Sequence, residues 1–354
     1  HLAGDALPAT TTVTDPTGMA SGALLYTIKL EPGQSREVAL VFPQSGSFNP
    51  RGFDPLKAQA QVAAMWRQKL DGLQLRVPAA GQPLADTLRT SLAHMLISRV
   101  GPRLQPGTRS YGRSWIRDGA MISEGLLRMG RSDAVRDYVQ WYAPHQFDNG
   151  KVPCCVDDRG SDPVPENDSH GELIYSIAEY WRYTGDDAFL EAMWPHVIGA
   201  FHYMEQLRAS ERTEENRARN PAFYGMMPAS ISHEGYSAKP MHSYWDNFWA
   251  LRGYKDAAII AEHLQKMEVL AITAARDEFR TDLQASLYAA MAQHRIDFLP
   301  GSAELGDFDA TSTTIALAPG GEQGRLPQPQ LDATFERYWN EFVQRRDGKR
   351  EWKD

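Results

Sequence analysis

From residue 54 to residue 345 apolar side chains recur at intervals of three and four, and the connections between these runs alternate between a few residues and a long stretch. Ala58, Val62, Met65, Trp66 and Leu70 make one stripe, and Leu88, Leu92, Met95 and Leu96 a second. Leu173, Ile174, Ile177, Ala178 and Trp181 make a third, and Phe189, Met193, Val197, Phe201 and Met204 a fourth. Each predicts a helix packed on one face. Gly130 followed by Ser132 and Asp133, and then Thr184-Gly185-Asp186, predict tight stops and restarts that leave neighbouring helices antiparallel. Further helices are predicted near 248–264, 267–293 and 331–345. The long irregular stretches fall at 101–116, 144–169, 209–247 and 297–330, and they hold most of the Gly, Pro, Trp and carboxylate clusters. Structureless loops longer than about 12 residues usually hold function. Helical hairpins set round a ring would put every second connection, and so every long loop, on one rim.

The 354 residues suit one small and one large unit, and 42% hydrophobic residues with 9 Trp, 14 Tyr and 13 Phe can build a core and still line concave surfaces. A net charge of -8 without a basic stripe argues against a nucleic-acid partner, which would need clustered Lys and Arg. No apolar run approaches the ~18 residues that span a bilayer, so no membrane partner is expected. The two cysteines, Cys154 and Cys155, are adjacent. Neighbouring cysteines make a strained disulfide and two ligands do not make a zinc site, so they read as buried thiols, and the compartment stays undecided.

Ahead of the helices, Ala23 to Leu30 and Glu37 to Phe42 alternate apolar and polar residues around Pro32-Gly33, the pattern of a β-hairpin. A lone hairpin buries too little to be stable, so residues 1–45 read as the end of a β-sheet domain, joined through a linker with a helix at 46–80 to the helical domain at 81–354. The chain starts at His1 rather than Met and ends in a polar run at Asp354, so both ends are expected to be cut.

Four clusters can carry chemistry. Ser110 to Gly119 contains Trp115, Arg117 and Asp118 where a loop meets a helix. Arg117 can fork onto a carboxylate or sugar hydroxyls, Trp115 offers an apolar face, and Asp118 suits a first helical turn, but an N-terminal salt bridge beside a buried Trp explains them equally well. Pro165 to Glu172 includes Asn167, Asp168 and His170; an N-cap accounts for Asp168 or Ser169 but not for the whole set, and a single His is more often structural than catalytic. In the third cluster Glu234 precedes Tyr244, Trp245 and Asp246, a carboxylate among large aromatics, where desolvation can hold a general acid protonated; Glu234 is the competing acid, and an N-cap with core aromatics is the plain alternative. Glu304, Asp307 and Asp309 alternate as in a weak calcium loop, but further spaced acids are lacking. A sugar contact or a stabilising turn is expected there, with no metal and no cofactor.

Trp115-Ile116-Arg117-Asp118, Asn167-Asp168-Ser169-His170-Gly171 and Tyr244-Trp245-Asp246-Asn247, in that order, resemble the six-hairpin glycosidases: glucoamylases, trehalases, processing α-glucosidases, α-L-rhamnosidases and related disaccharide phosphorylases. The resemblance covers roughly 80–345. It implies a mainly α fold, an incomplete (α/α)6 toroid preceded by the end of a β-sandwich domain. It also implies a carbohydrate substrate bound by Trp115, Arg117, Asp118, Asn167, Asp168, His170, Tyr244 and Trp245, with Asp246 as general acid in an inverting hydrolysis. The base of such enzymes lies on a late loop of the toroid and is expected beyond Asp354, leaving these residues inactive alone. The alternatives are a phosphorylase of the same architecture and a catalytically silent carbohydrate-binding protein. A helical scaffold for protein partners is disfavoured, because no fixed repeat period is present.

Overall fold

In the computed structural model, which describes residues 11–42, 49 and 51–351, helices follow one another from residue 55 onward. They are α1 (Pro55–Leu70), α2 (Gln82–Ser98), α3 (Ile116–Arg128), α4 (Ser132–Tyr142), α5 (Ser169–Thr184) and α6 (Asp187–Glu211). After these come α7 (Glu214–Arg219), α8 (Tyr244–His263), α9 (Val269–His294), α10 (Ala310–Leu317) and α11 (Gln328–Arg346). The chain divides between Arg67 and Gln68 into two units, inside the segment expected to link two domains. The fold is mainly α.

Residues 11–42 form no strand, although the turn expected at Pro32-Gly33 is present, with Gly33 at φ 84° and the Gln34 amide donating to the Glu31 carbonyl at 3.0 Å. The expected hairpin is therefore corrected to extended chain around a turn. Leu24, Tyr26, Ile28, Leu40 and Phe42 are exposed, and a hairpin whose apolar side stays exposed is not stable by itself. Residues 1–10, 43–48, 50 and 352–354, which include parts of the expected β-domain and linker, lie outside the described residues.

In the second unit the helices form two layers. One holds α3, α5, α8 and α10, each packed on the next; α4 leans on α3 and α5, α6 on α5 and α8, α9 on α8, α11 on α10, and α2 packs on α3. The first set forms the inner layer: nearly the whole first turns of α5 and α8 are buried, as are Leu173, Ile174 and Ile177 of α5 and Phe248, Trp249 and Leu251 of α8. The stops are local chemistry. After α3, Gly130 at φ 73° lets its amide reach the Leu127 carbonyl and the Arg131 amide reach that of Leu126, the paired bonds of a Schellman turn. After α5, Gly185 at φ 66° closes onto Trp181, and Asp186 caps α6 by accepting from the Phe189 amide at 3.0 Å.

The long stretches contain two helices that the periodicity does not reveal. Thr213 caps the short α7, and Asp309 caps α10 by accepting from the Thr311 and Ser312 amides. The α10 sequence, Ala-Thr-Ser-Thr-Thr-Ile-Ala-Leu, has no apolar stripe because its buried residues include Ser312 and Thr313. A short antiparallel sheet, β1 (Ser114–Trp115), β2 (Cys155–Asp157) and β3 (Gly160–Ser161), clasps two of the loops, with Trp115 opposite Cys155.

The inner helices α5 and α8 meet backbone to backbone. A Cβ on Gly171 would lie 2.0 Å from the Trp249 carbonyl oxygen, and one on Gly253 would lie 2.7 Å from the Gly171 Cα. Gly171→Ala should therefore destabilise the protein by at least about 2 kcal/mol despite the better helix propensity of Ala, read as a lower urea midpoint with an unchanged slope. Gly130→Ala, strained at its positive φ but free of close contacts, should cost less.

Candidate active site

Short turns follow α3 and α5, and a five-residue connection follows α8, so these inner helices start on the long-loop rim. Their first turns bring Arg117, Asp118, Asp168, Trp245 and Asp246 together. Helix starts carry partial positive charge, which favours carboxylates there.

Asp168 is fully buried at the N-cap position of α5, yet its side chain caps nothing. Its Oδ2 accepts instead from Arg117 Nη1 at 3.2 Å and from the Trp245 indole at 2.8 Å. The same Arg117 nitrogen donates to Glu166 at 2.7 Å. Asp246 is 1% exposed; Ser232 donates to one of its oxygens and Ser230 to the other, each at 2.6 Å. Burial, reinforced by the negative charge of Asp168, outweighs those two hydroxyls and His233 and pushes Asp246 up to about 7. Glu166 is likewise pushed up to about 7, by burial and then Asp168, against the pull of Arg117. Asp118 is half-buried and raised, chiefly by burial, with Arg117 opposing and Glu234 and Asp168 adding. Glu172, fully buried on α5, is pushed well up by the same cause, and neither of its carboxylate oxygens has a hydrogen-bond partner.

Of the residues singled out from the sequence, Trp115, Arg117 and Asp118 keep partial exposure. One ring face of Trp115 is occupied by the Arg113 guanidinium, 5.4 Å from its centroid. Glu234 is exposed at φ 68°. The others are covered by protein. Asn167 donates to the Pro228 carbonyl at 2.8 Å, the Tyr244 hydroxyl meets Ser286 at 2.8 Å, and Trp245 is 4% exposed. His170 accepts at Nδ1 from the Val152 amide at 3.2 Å, and burial drives it down to about 3, a neutral structural imidazole. Ser230, Ser232, Glu166 and His233 join the site without having been singled out. The available signal was the pair of hydroxyls, Ser230 and Ser232, just ahead of the Glu234 to Asp246 cluster.

The acids of residues 304–309 are engaged by protein groups. Glu304 accepts from the His242 ring and amide, Asp307 from Ser302 and Tyr236, and Asp309 caps α10 and faces His233 at 3.4 Å. Among the described residues, the ligand atoms close enough to share an ion are those of Cys154, Cys155 and Asp162, within 4.8 Å of one another. They fit a cation poorly. Arg113 already pairs with Asp162 at 2.7 Å, and the hydrogen bond with Cys155, together with burial, pushes the Cys154 thiol up.

No family model and no curated protein matches the chain. Among the solved structures it is similar to are two glycosidases. One is a glycosidase variant, with a TM-score of 0.45 and 15% identity over 58% of this chain and 58% of that chain. Another is a GH63 mannosylglycerate hydrolase from Thermus thermophilus, with a TM-score of 0.46 and 11% identity over 66% of this chain and 77% of that chain. The match thus spans less than two thirds of the first structure's length.

His242 pins these loops together. Its Nδ1 lies 2.6 Å from Glu304, its Nε2 lies 3.5 Å from Glu211, and its ring stacks on Phe223. Burial opposes its charge, but the two carboxylates outweigh burial and raise it to about 9. The folded value lies above the unfolded value of about 6.5, so this stabilisation is full below pH ~6.5 and lost as pH rises through about 9. His242→Gln should cost roughly 1–3 kcal/mol at pH 6 in chemical denaturation, and markedly less at pH 10.

Proposed function

We propose that the protein is a glycoside hydrolase whose general acid is Asp246 and whose Arg117 and Asp118 grip the sugar at the point of cleavage. The observation that carries this is the state of Asp246. A buried carboxyl pushed up to about 7 at the start of α8 can hold a proton near neutrality and give it to a leaving-group oxygen. Asp118, half-buried at the start of α3 on the same rim, accepts from ring hydroxyls in this reading, contacts that strengthen as positive charge develops on the sugar. Asp246 is closed off by Ser230 and Ser232, so proton delivery requires that loop to shift. Two of its residues, Ser232 at φ 54° and Glu234 at φ 68°, hold left-handed backbone.

The charge of the site supports hydrolysis over phosphorolysis. Asp118, Glu166, Asp168, Glu172 and Asp246 act on one another with Arg117 as the guanidinium among them, and a phosphate dianion entering that field would meet mostly repulsion. The raised carboxyl of Asp246 also sets the reading apart from a silent sugar-binding protein, which needs no proton donor. Inversion belongs to the proposal; no residue is assigned as base.

Asp246→Asn should lower turnover of glycosides with poor leaving groups by at least ~100-fold and of activated aryl glycosides by less. Asp118→Asn should reduce kcat/KM without moving the pH limb set by the acid. Full activity in Asp246→Asn together with loss in Glu234→Gln would transfer the acid role to Glu234. Phosphate-dependent release of a sugar phosphate would replace hydrolysis with phosphorolysis. The anomer first released, followed by NMR, reads the stereochemistry.

A further inference from the structure

We propose that Asp168 is a positioning residue, a buried anionic bracket that holds the Arg117–Asp118 pair at the start of α3 against the Trp245–Asp246 pair at the start of α8. Its place in the chain suggests a different role. At the N-cap of α5 an Asp ordinarily accepts from the amides of its own first turn, and here its side chain makes no such bond. One oxygen takes both long-range donors, Arg117 Nη1 at 3.2 Å and the Trp245 indole nitrogen at 2.8 Å. Each donor is the immediate chain neighbour of a carboxylate proposed to act on the sugar. Three helices therefore meet on one oxygen, and moving it would change the spacing between Asp118 and Asp246.

The bracket also acts through charge. Arg117 Nη1 is shared between Asp168 and Glu166, so one partly exposed cation faces two buried carboxylates. The groups acting on Asp246 are Asp168 and the hydroxyls of Ser230 and Ser232, with His233 opposite, and Glu166 and Asp246 also interact. After burial itself, the charge of Asp168 is what most favours the protonated form of Asp246. Being fully covered, it touches no ligand itself and acts through Arg117, Trp245 and its charge.

The inference rests on Asp246 as the acid for its functional consequence, but its test needs no turnover. Carbon-13 NMR of the side-chain carboxyls, with Asp246→Asn to assign the resonance, gives the Asp246 titration in the wild-type protein and in Asp168→Asn. The isosteric amide removes the charge, so Asp246 should bind its proton at least about tenfold more weakly, titrating closer to the ordinary carboxylate range. An unchanged midpoint in a folded variant would overturn the proposal. Where Asp168→Asn does not fold, the wild-type protein carries the test: the Trp245 indole proton should be strongly protected from exchange and should shift with pH at the Asp246 midpoint. An indole proton that exchanges freely and ignores that titration would equally overturn it. A midpoint that moves as expected in a protein that cleaves no glycoside would leave the bracket standing and remove the hydrolase reading. Cleavage by the wild-type protein, with both midpoint and pH profile unmoved in Asp168→Asn, would do the reverse.

Discussion

The contact between α5 and α8 at Gly171 and Gly253 sets the geometry of everything above it. Gly171 lies three residues after Asp168, and Trp249 three residues after Asp246, so the backbone approach occurs one helical turn below the carboxylates. With side chains there, the axes would stand apart at the usual interhelical distance of 8–10 Å. The Asp168 oxygen could then no longer reach the Trp245 indole from the neighbouring helix. A small residue in the packing seam thus fixes a polar contact at the rim.

Above that seam the site is an unusual concentration of like charge. Three inner helices direct their first turns to one place, and their partial positive charge, with Arg117 and His233, offsets carboxylates that would otherwise repel one another. The offset is incomplete. Asp118, Glu166, Glu172 and Asp246 are all pushed up, each chiefly by burial, so part of the cluster holds protons near neutral pH. Such a group suits proton transfer to a neutral ligand and resists anions.

Much of this was legible in the sequence wherever one local rule decided the outcome. The restarts at Gly130 and Thr184-Gly185-Asp186 followed from glycine geometry and capping, and the long helices from three-and-four spacing that burial then used. The clusters at 115–118, 167–170 and 244–246 do converge on one rim. What could not be read was the use of each side chain. Capping was the plain account of Asp168, and only the fold reveals Arg117 and Trp245 within reach. Alternation at 23–42 predicted strands, but alternation states a preference for a sheet and cannot supply the sheet. Helix α10 escaped because its buried positions carry hydroxyls, which Ser312 and Thr313 satisfy by bonding back to Asp309 at the helix's own start.

The parallel direction of α3, α5 and α8 has an electrical consequence. Their starts gather acids, while their last turns, at the short-turn end, carry Arg128, Arg182 and His263. Those bases are paired with Glu124, with Glu179 and Asp256, and with Asp187, whereas at the helix starts several carboxylates share Arg117. The unbalanced charge therefore sits at the rim, where a solute diffusing nearby meets its field before it meets any residue.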